Sequence, residues 1–277
     1  MPRLPFSFHQ TFIPERVYLS AMLSFAAAEK DGSVQEISAQ TGIPMGKSSG
    51  KTPAVLDYCC GMGLLTLPPK TGVVKSPRLT PFGRVVLLED KFLKQPLTQW
   101  LAHLHLCRPD AGAEAWFLTF VKARKILSDS FTSEQLESFL RDESGGKFQT
   151  ALVGPIIRTY TDMAGFLDTR LFDVSASGGV CRRPAPISKD FVHGYAAWLI
   201  SLLEIHFPDQ REVAASDLQS VTCWDDIGGW SSAQSDQLLT LIQERHLIDI
   251  NRHLRPWVIT RLCPSAEVWP TIYQDLV

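Results

Sequence analysis

The run TGIPMGKSSGK at residues 41–51 decides how this chain is read. Its glycines and lysines look at first like a phosphate-binding loop. Such a loop needs four residues between its two glycines, a buried strand before it and a helix after it. Here only Ile43, Pro44 and Met45 separate Gly42 from Gly46-Lys47-Ser48, and what precedes them reads as a capped helix. No aspartate follows a strand-like run nearby to hold Mg²⁺. No nucleotide is therefore expected. The same residues suit the turn between two helices of a DNA-binding module.

Working outward, Arg16–Lys30 has the apolar spacing of a helix, closed by Asp31-Gly32. Ser33 and Glu36 form a capping box that opens a short helix through Gln40. Gly42 stops it, and Pro44 keeps Ile43 out of the helical region. A third helix begins near Thr52, with Pro53 in its first turn. Leu64–Leu67 reads as a strand, Pro68–Gly72 as a turn, and Val73–Leu79 as a second strand. Thr80-Pro81 then caps a helix running to about Leu93. This order is that of a winged helix-turn-helix with residues 68–72 as the wing.

The remainder is mainly helical. Residues 97–106, 113–127, 133–143 and 149–166 carry helical apolar spacing, and the Gly/Ser/Pro-rich stretch 174–187 reads as a linker or exposed loop. Beyond it, 189–207, 215–221 and 232–245 read as helices and 224–230 as a turn. Strands at 246–250 and 257–262 flank a second wing at Asn251–Pro256. The expected fold is mainly α with small β wings. It comprises a winged-helix domain over 1–95, a helical middle domain over 96–173 and a second winged-helix-like domain over 188–277.

The 277 residues carry a net charge of −2, unevenly spread. Residues 1–95 hold 11 Lys and Arg against 7 Asp and Glu, whereas 174–277 hold 8 against 12. Within 42–84, six basic residues face one acid, Asp57. A basic patch on a mildly acidic protein fits a focused polyanion site, or a solvated lysine-rich face. No apolar run is long enough for a membrane span, and the N-terminus lacks a signal-like core. The six cysteines form no CxxC. A reducing, cytoplasmic setting is expected.

In the DNA reading, the glycines let the backbone approach a phosphate, and amides ahead of the third helix donate to it. Lys47, Ser48, Ser49, Lys51 and Thr52 are the contacts expected in the turn, with Lys70, Lys75 and Arg78 on or near the wing. Base reading would fall to outward-pointing Thr52, Ala54 and Asp57. About six phosphate contacts imply affinity falling on the order of a thousandfold between 50 and 200 mM salt. A winged helix can equally serve as a protein-docking module.

His9, among three phenylalanines in FSFHQTF (residues 6–12), reads as a hydrogen-bonded core histidine or a site. The adjacent pairs Glu89-Asp90 and Asp225-Asp226 diverge on any regular element, as do His103 and His105 on a helix, and no zinc spacing occurs. Arg182-Arg183 reads as a solvated pair, or as a contact to a second stretch of backbone. Trp224, Trp230, Trp257 and Trp269 read as packing or a partner surface. No catalytic or metal-binding residue can be assigned from these patterns.

FSFHQTF, followed by IPMGKSSGK and GMGLL within residues 43–65, resembles an SspB-like family of the single-strand DNA phosphorothioation system. Its unknown-function domains begin with an FHQTF- or GHETF-like phrase. The resemblance covers the N-terminal third, and Pro14–Tyr18 departs from the commoner family phrase. It implies double-stranded DNA as a partner, together with a cysteine desulfurase, a sulfur-transferring ATP-pyrophosphatase and an ATPase. It also implies a role in phage defence of the restriction–modification kind, and DNA nicking with Mg²⁺ or Mn²⁺. A homodimer is possible. The alternatives are a non-enzymatic winged-helix adaptor that recruits sulfur-transfer enzymes, and a transcriptional regulator.

Overall fold

The structure, a computed structural model, describes residues 3–45, 50–68, 73–146, 148–176 and 178–276. The chain divides into two compact units, Met1–Arg183 and Pro184–Val277. In the first unit, α1 (Arg16–Ala27) buries Leu19, Met22, Leu23 and Ala26, the i, i+3, i+4, i+7 stripe of an amphipathic helix. Helix α2 (Val34–Thr41) opens on the Ser33–Glu36 capping box and closes on Gly42, whose φ of 71° suits the left-handed cap. Helix α3 (Lys51–Gly61) follows. It buries Thr52, Ala54, Val55, Leu56 and Tyr58, so it is a core helix on most of its surface.

The short strands β1 (Leu65–Thr66) and β2 (Arg78–Leu79) pair antiparallel. Upstream of β2, Lys75 exchanges backbone bonds with Gly32, at 3.0 and 2.7 Å. The segment before α2 thus lies beside β2. Helix α4 (Pro81–Glu89) has Pro81 in its first turn, and the Thr80 hydroxyl accepts from the Gly83 amide at 2.9 Å. Gly83 is needed for close approach: a β-carbon there would sit 1.9 Å from the Leu64 carbonyl oxygen.

The middle of the first unit begins with α5 (Pro96–Leu106) and α6 (Glu114–Phe117). A π-type turn, Leu118–Lys122, leads into α7 (Arg124–Leu127). Then come β3 (Ser130–Thr132), α8 (Ser133–Glu143) and α9 (Val153–Thr159). Last are β4 (Phe172–Val174) and β5 (Gly179–Arg182), and the sheet order is β3–β5–β4. Two expectations need correction. The helix expected over 149–166 ends at Thr159, because the chain reverses and the Phe166 amide donates to the Thr159 carbonyl at 2.6 Å. Val174 and Gly179–Arg182 are not linker or loop. They lie in the paired strands β4 and β5, and Arg182 at the end of β5 is buried, donating to the carbonyls of Thr119 and Ser128. Its guanidinium also lies over the Phe131 ring, 5.1 Å from the centroid.

The second unit opens with Ala185, whose carbonyl accepts from the Trp230 indole at 2.8 Å. Helix α10 (Val192–His206) is buried almost all round. It is followed by β6 (Glu212–Ala214), α11 (Ala215–Thr222), α12 (Trp224–Gly228) and α13 (Ser232–Glu244). Strands β7 (Ile248–Asn251) and β8 (Val258–Arg261) complete a sheet ordered β6–β8–β7. Strand β6 was not expected from the sequence, and the expected turn at 224–230 is mostly the helical turn α12. Trp224, Trp230 and Trp269 are buried in this unit's core. The fold is mainly helical with small antiparallel sheets. Among the described residues no helix is long and apolar enough to cross a membrane.

Candidate functional site

The connection between α2 and α3 is sewn by short side chains. The Ser38 hydroxyl donates to the Ile43 carbonyl at 2.6 Å, and Thr52 donates to the same carbonyl at 3.1 Å. Thr41 donates to Ile37 at 2.7 Å. Met45 and Gly50 then pair as an isolated antiparallel bridge. Lys47, Ser48 and Ser49, three of the expected contacts, lie outside the described residues, as does Lys70.

Thr52 and Ala54 are fully buried, so neither points outward as the base-reading expectation required. The reason is local: the Thr52 hydroxyl is spent on the Ile43 carbonyl and anchors the turn. Asp57 is partly exposed one turn further along the helix. Burial pushes its carboxyl up to about 6, and the positive charge of Lys75 offsets part of that rise.

Lys51 does not project freely. Its ammonium is 2.5 Å from Glu15, 4.7 Å from the Tyr18 ring centroid and 5.5 Å from that of Phe12. Arg78 pairs with Asp31 at 2.9 Å and donates to the Pro77 carbonyl at 3.0 Å. The three described cations Lys51, Lys75 and Arg78 therefore each have a carboxylate neighbour: Glu15, Asp57 and Asp31. Glu15 and Asp31 come from either end of α1, far from their partners in the chain, so charge counts over 42–84 missed them. Arg84 is exposed on α4 and makes no ion pair among the described residues. On this face Lys51 and Arg78 are already paired with carboxylates at rest.

The FSFHQTF segment packs inward. His9 is fully buried, its ring 5.4 Å from Trp116 and 5.2 Å from Phe8 by centroids. Neither ring nitrogen has a hydrogen-bond partner among the described residues. The expected hydrogen-bonded core histidine is thus buried but unbonded. Burial lowers its pKa to about 4. The segment is instead tied to α3 through its backbone, with Tyr58 donating to the Phe12 carbonyl at 3.1 Å.

His103 and His105 are core residues too. His103 bonds Tyr160 at 2.6 Å, and His105 stacks on Phe82 at 5.6 Å. Burial lowers both to about 3, helped by Arg124 for His103 and Arg108 for His105. Of the arginine pair read as solvated, Arg182 is core, while Arg183 is exposed and pairs with Asp173. Among the described residues no group of three or more His, Cys, Asp or Glu is placed to hold a metal ion. The carboxylates and histidines described so far therefore do not fit a metal centre.

A family model described as "Protein of unknown function (DUF4007)" matches residues 6–153, from FSFHQTF to the first residue of α9. No curated protein matches the chain. Two solved structures share its fold. A magnesium ion-bound SspB crystal structure gives a TM-score of 0.69 at 14% identity, covering 98% of this chain and 88% of that one. An SspB crystal structure gives 0.68 at 15% identity with the same coverage.

Proposed function

Because the chain belongs to the DUF4007 family of unknown function, we propose that it is a DNA-binding component of a DNA phosphorothioation system. The observation that carries this reading is the connectivity around the α2–α3 turn. Helix, bridged segment, two helices and an antiparallel pair follow one another, with the Gly32 segment beside the second strand rather than the first. That order supports a winged helix-turn-helix over residues 1–95, with α3 as its second helix, the one that enters a major groove in such modules. The likeness to SspB supports the phosphorothioation setting, and with it sulfur-transfer enzymes as partners and a role in phage defence.

In this reading the turn at 42–51 and the Lys75–Arg78 strand grip phosphates on either side of α3. Phosphate contacts of this kind set register and carry no sequence information. With Thr52 and Ala54 turned inward, base contact on α3 falls to Asp57 and its exposed neighbours. The sheet order β6–β8–β7 repeats the same connectivity and supports a second winged helix over 188–277. The middle, 96–173, carries a related strand–helix–helix–hairpin ordered β3–β5–β4, which extends it to Arg182.

DNA nicking is the finer part of the proposal. No catalytic step is assigned to a residue, and none is routed through a metal, since the described donors do not group to hold one. Purified protein with Mg²⁺ or Mn²⁺ is expected to convert supercoiled plasmid to open circle, and to lose that activity in chelator. Plasmid that is bound but stays supercoiled under every metal would replace the nickase with a non-enzymatic adaptor.

A further inference from the structure

Net acidity hides a cationic hairpin tip in the second unit. Between β7 and β8 the chain reads Asn251-Arg252-His253-Leu254-Arg255-Pro256-Trp257, two arginines and a histidine with no acid. His253, Leu254 and Arg255 are exposed. Both guanidinium groups stand over the Trp257 ring, Arg252 at 5.2 Å and Arg255 at 5.7 Å from its centroid. Neither arginine has an ion-pair partner among the described residues, unlike Lys51 and Arg78 in the first unit.

The tip is also braced against a helix. Arg252 donates to Gln243 at 2.6 Å and to Thr240 at 2.8 Å, both on α13. Asp249 on β7 accepts from the Gln243 amide at 2.8 Å. Two cations held on one indole without a counter-ion repel each other and sit beside exposed polar helix surface. An anion with repeated charges relieves that repulsion, and a planar guanidinium matches a phosphate in two-point fashion. Because α13 directly precedes the β7–β8 hairpin and the tip lies in the wing position, the face has the layout of a groove-and-backbone reader.

We propose that the 251–257 hairpin, with the exposed side of α13, is a second duplex-DNA contact in which Arg252 and Arg255 bind backbone phosphates. It rests on the reading that the chain works on DNA, but on different residues from those of the α2–α3 face.

The test measures affinity of the full chain for a short DNA duplex by fluorescence anisotropy across a salt series. Arg252→Gln with Arg255→Gln is expected to weaken binding by roughly tenfold and to reduce the salt slope by about 2. Arg252→Lys with Arg255→Lys keeps the charge and is expected to retain the wild-type slope. Unchanged affinity and slope in the glutamine variant would overturn the proposal. So would equal loss in the lysine variant accompanied by a lower melting temperature, which would make the arginines structural. If the hairpin variant binds normally while variants at Lys75 and Arg78 do not, only the hairpin is excluded. The reverse pattern leaves the hairpin standing and removes the α2–α3 face.

Discussion

Replacing Lys75 and Arg78 by glutamate is expected to weaken duplex-DNA binding by about a hundredfold at moderate salt and to flatten its salt dependence by about 2. Each phosphate contact releases condensed counter-ions, so losing two contacts removes two units of slope. Reversal adds repulsion to that loss. The fold is expected to survive. Lys75 is held by backbone bonds to Gly32 and meets Asp57 only through charge, and Arg78 meets Asp31 in a half-exposed pair. Exposed pairs of this kind contribute about 0–1 kcal/mol. Asp57→Asn supplies the opposite sign. At pH 7 the Asp57 carboxylate, with a pKa of about 6, is largely ionised and shields Lys75. Removing that charge is expected to tighten binding roughly threefold to tenfold. Wild-type affinity is expected to rise as pH falls through 6, and the asparagine variant to lack that rise. Weaker binding by the asparagine variant would show that Asp57 contacts a base rather than shielding a lysine.

Acid is expected to unfold the first unit well above the ordinary carboxylate range. His9, His103 and His105 are all buried, and all have lowered pKa values in the folded state. The direction follows from proton counting. Below pH 6.5 the unfolded chain protonates these rings while the folded chain does not, so stability present above 6.5 is lost as pH falls toward 4. For His9 alone, a shift from 6.5 to about 4 corresponds to about 3 kcal/mol. Asp57 works the other way over part of this range, because its raised pKa favours the folded protein as it protonates. Three histidines outweigh one partly exposed carboxyl. His9→Phe is the decisive variant. Among the described residues both ring nitrogens of His9 lack partners, and an unsatisfied buried polar group costs about 1–3 kcal/mol. The phenylalanine variant is therefore expected to be at least as stable at pH 7.5, and to lose about 2.5 kcal/mol less on going to pH 4.5. Urea midpoints at the two pH values measure this. An unchanged pH dependence would mean that the ring is already solvated or bonded when folded.

Legibility from sequence followed the range of the interactions. Ser33 with Glu36, and Thr80 with Pro81, announce helix starts because caps act within one turn, and both are found in place. Ser133–Glu143 was readable from its apolar stripe and matches the observed helix. Strands β3, β4 and β6 were not readable, since three residues are too few to express an alternating pattern. The β4–β5 hairpin was hidden inside Gly- and Ser-rich sequence that resembles a linker. Helix α3 misled for a different reason: it is apolar on most of its surface, so its phase could not tell which of Thr52, Ala54 and Asp57 faces outward. At the candidate site, the lysines were visible but their carboxylates were not. Glu15 lies 36 residues from Lys51 and Asp31 lies 47 from Arg78. The packing of α1 against α3 and β2 brings them together.

The central claim is that the α2–α3 turn and the 73–79 segment dock on DNA, and amide hydrogen exchange of the full chain with and without a saturating short duplex tests it most directly. Slowed exchange is expected over residues 50–61 and 73–79. Duplex bound with no change in either segment, or no binding of duplex even at low salt, would contradict it.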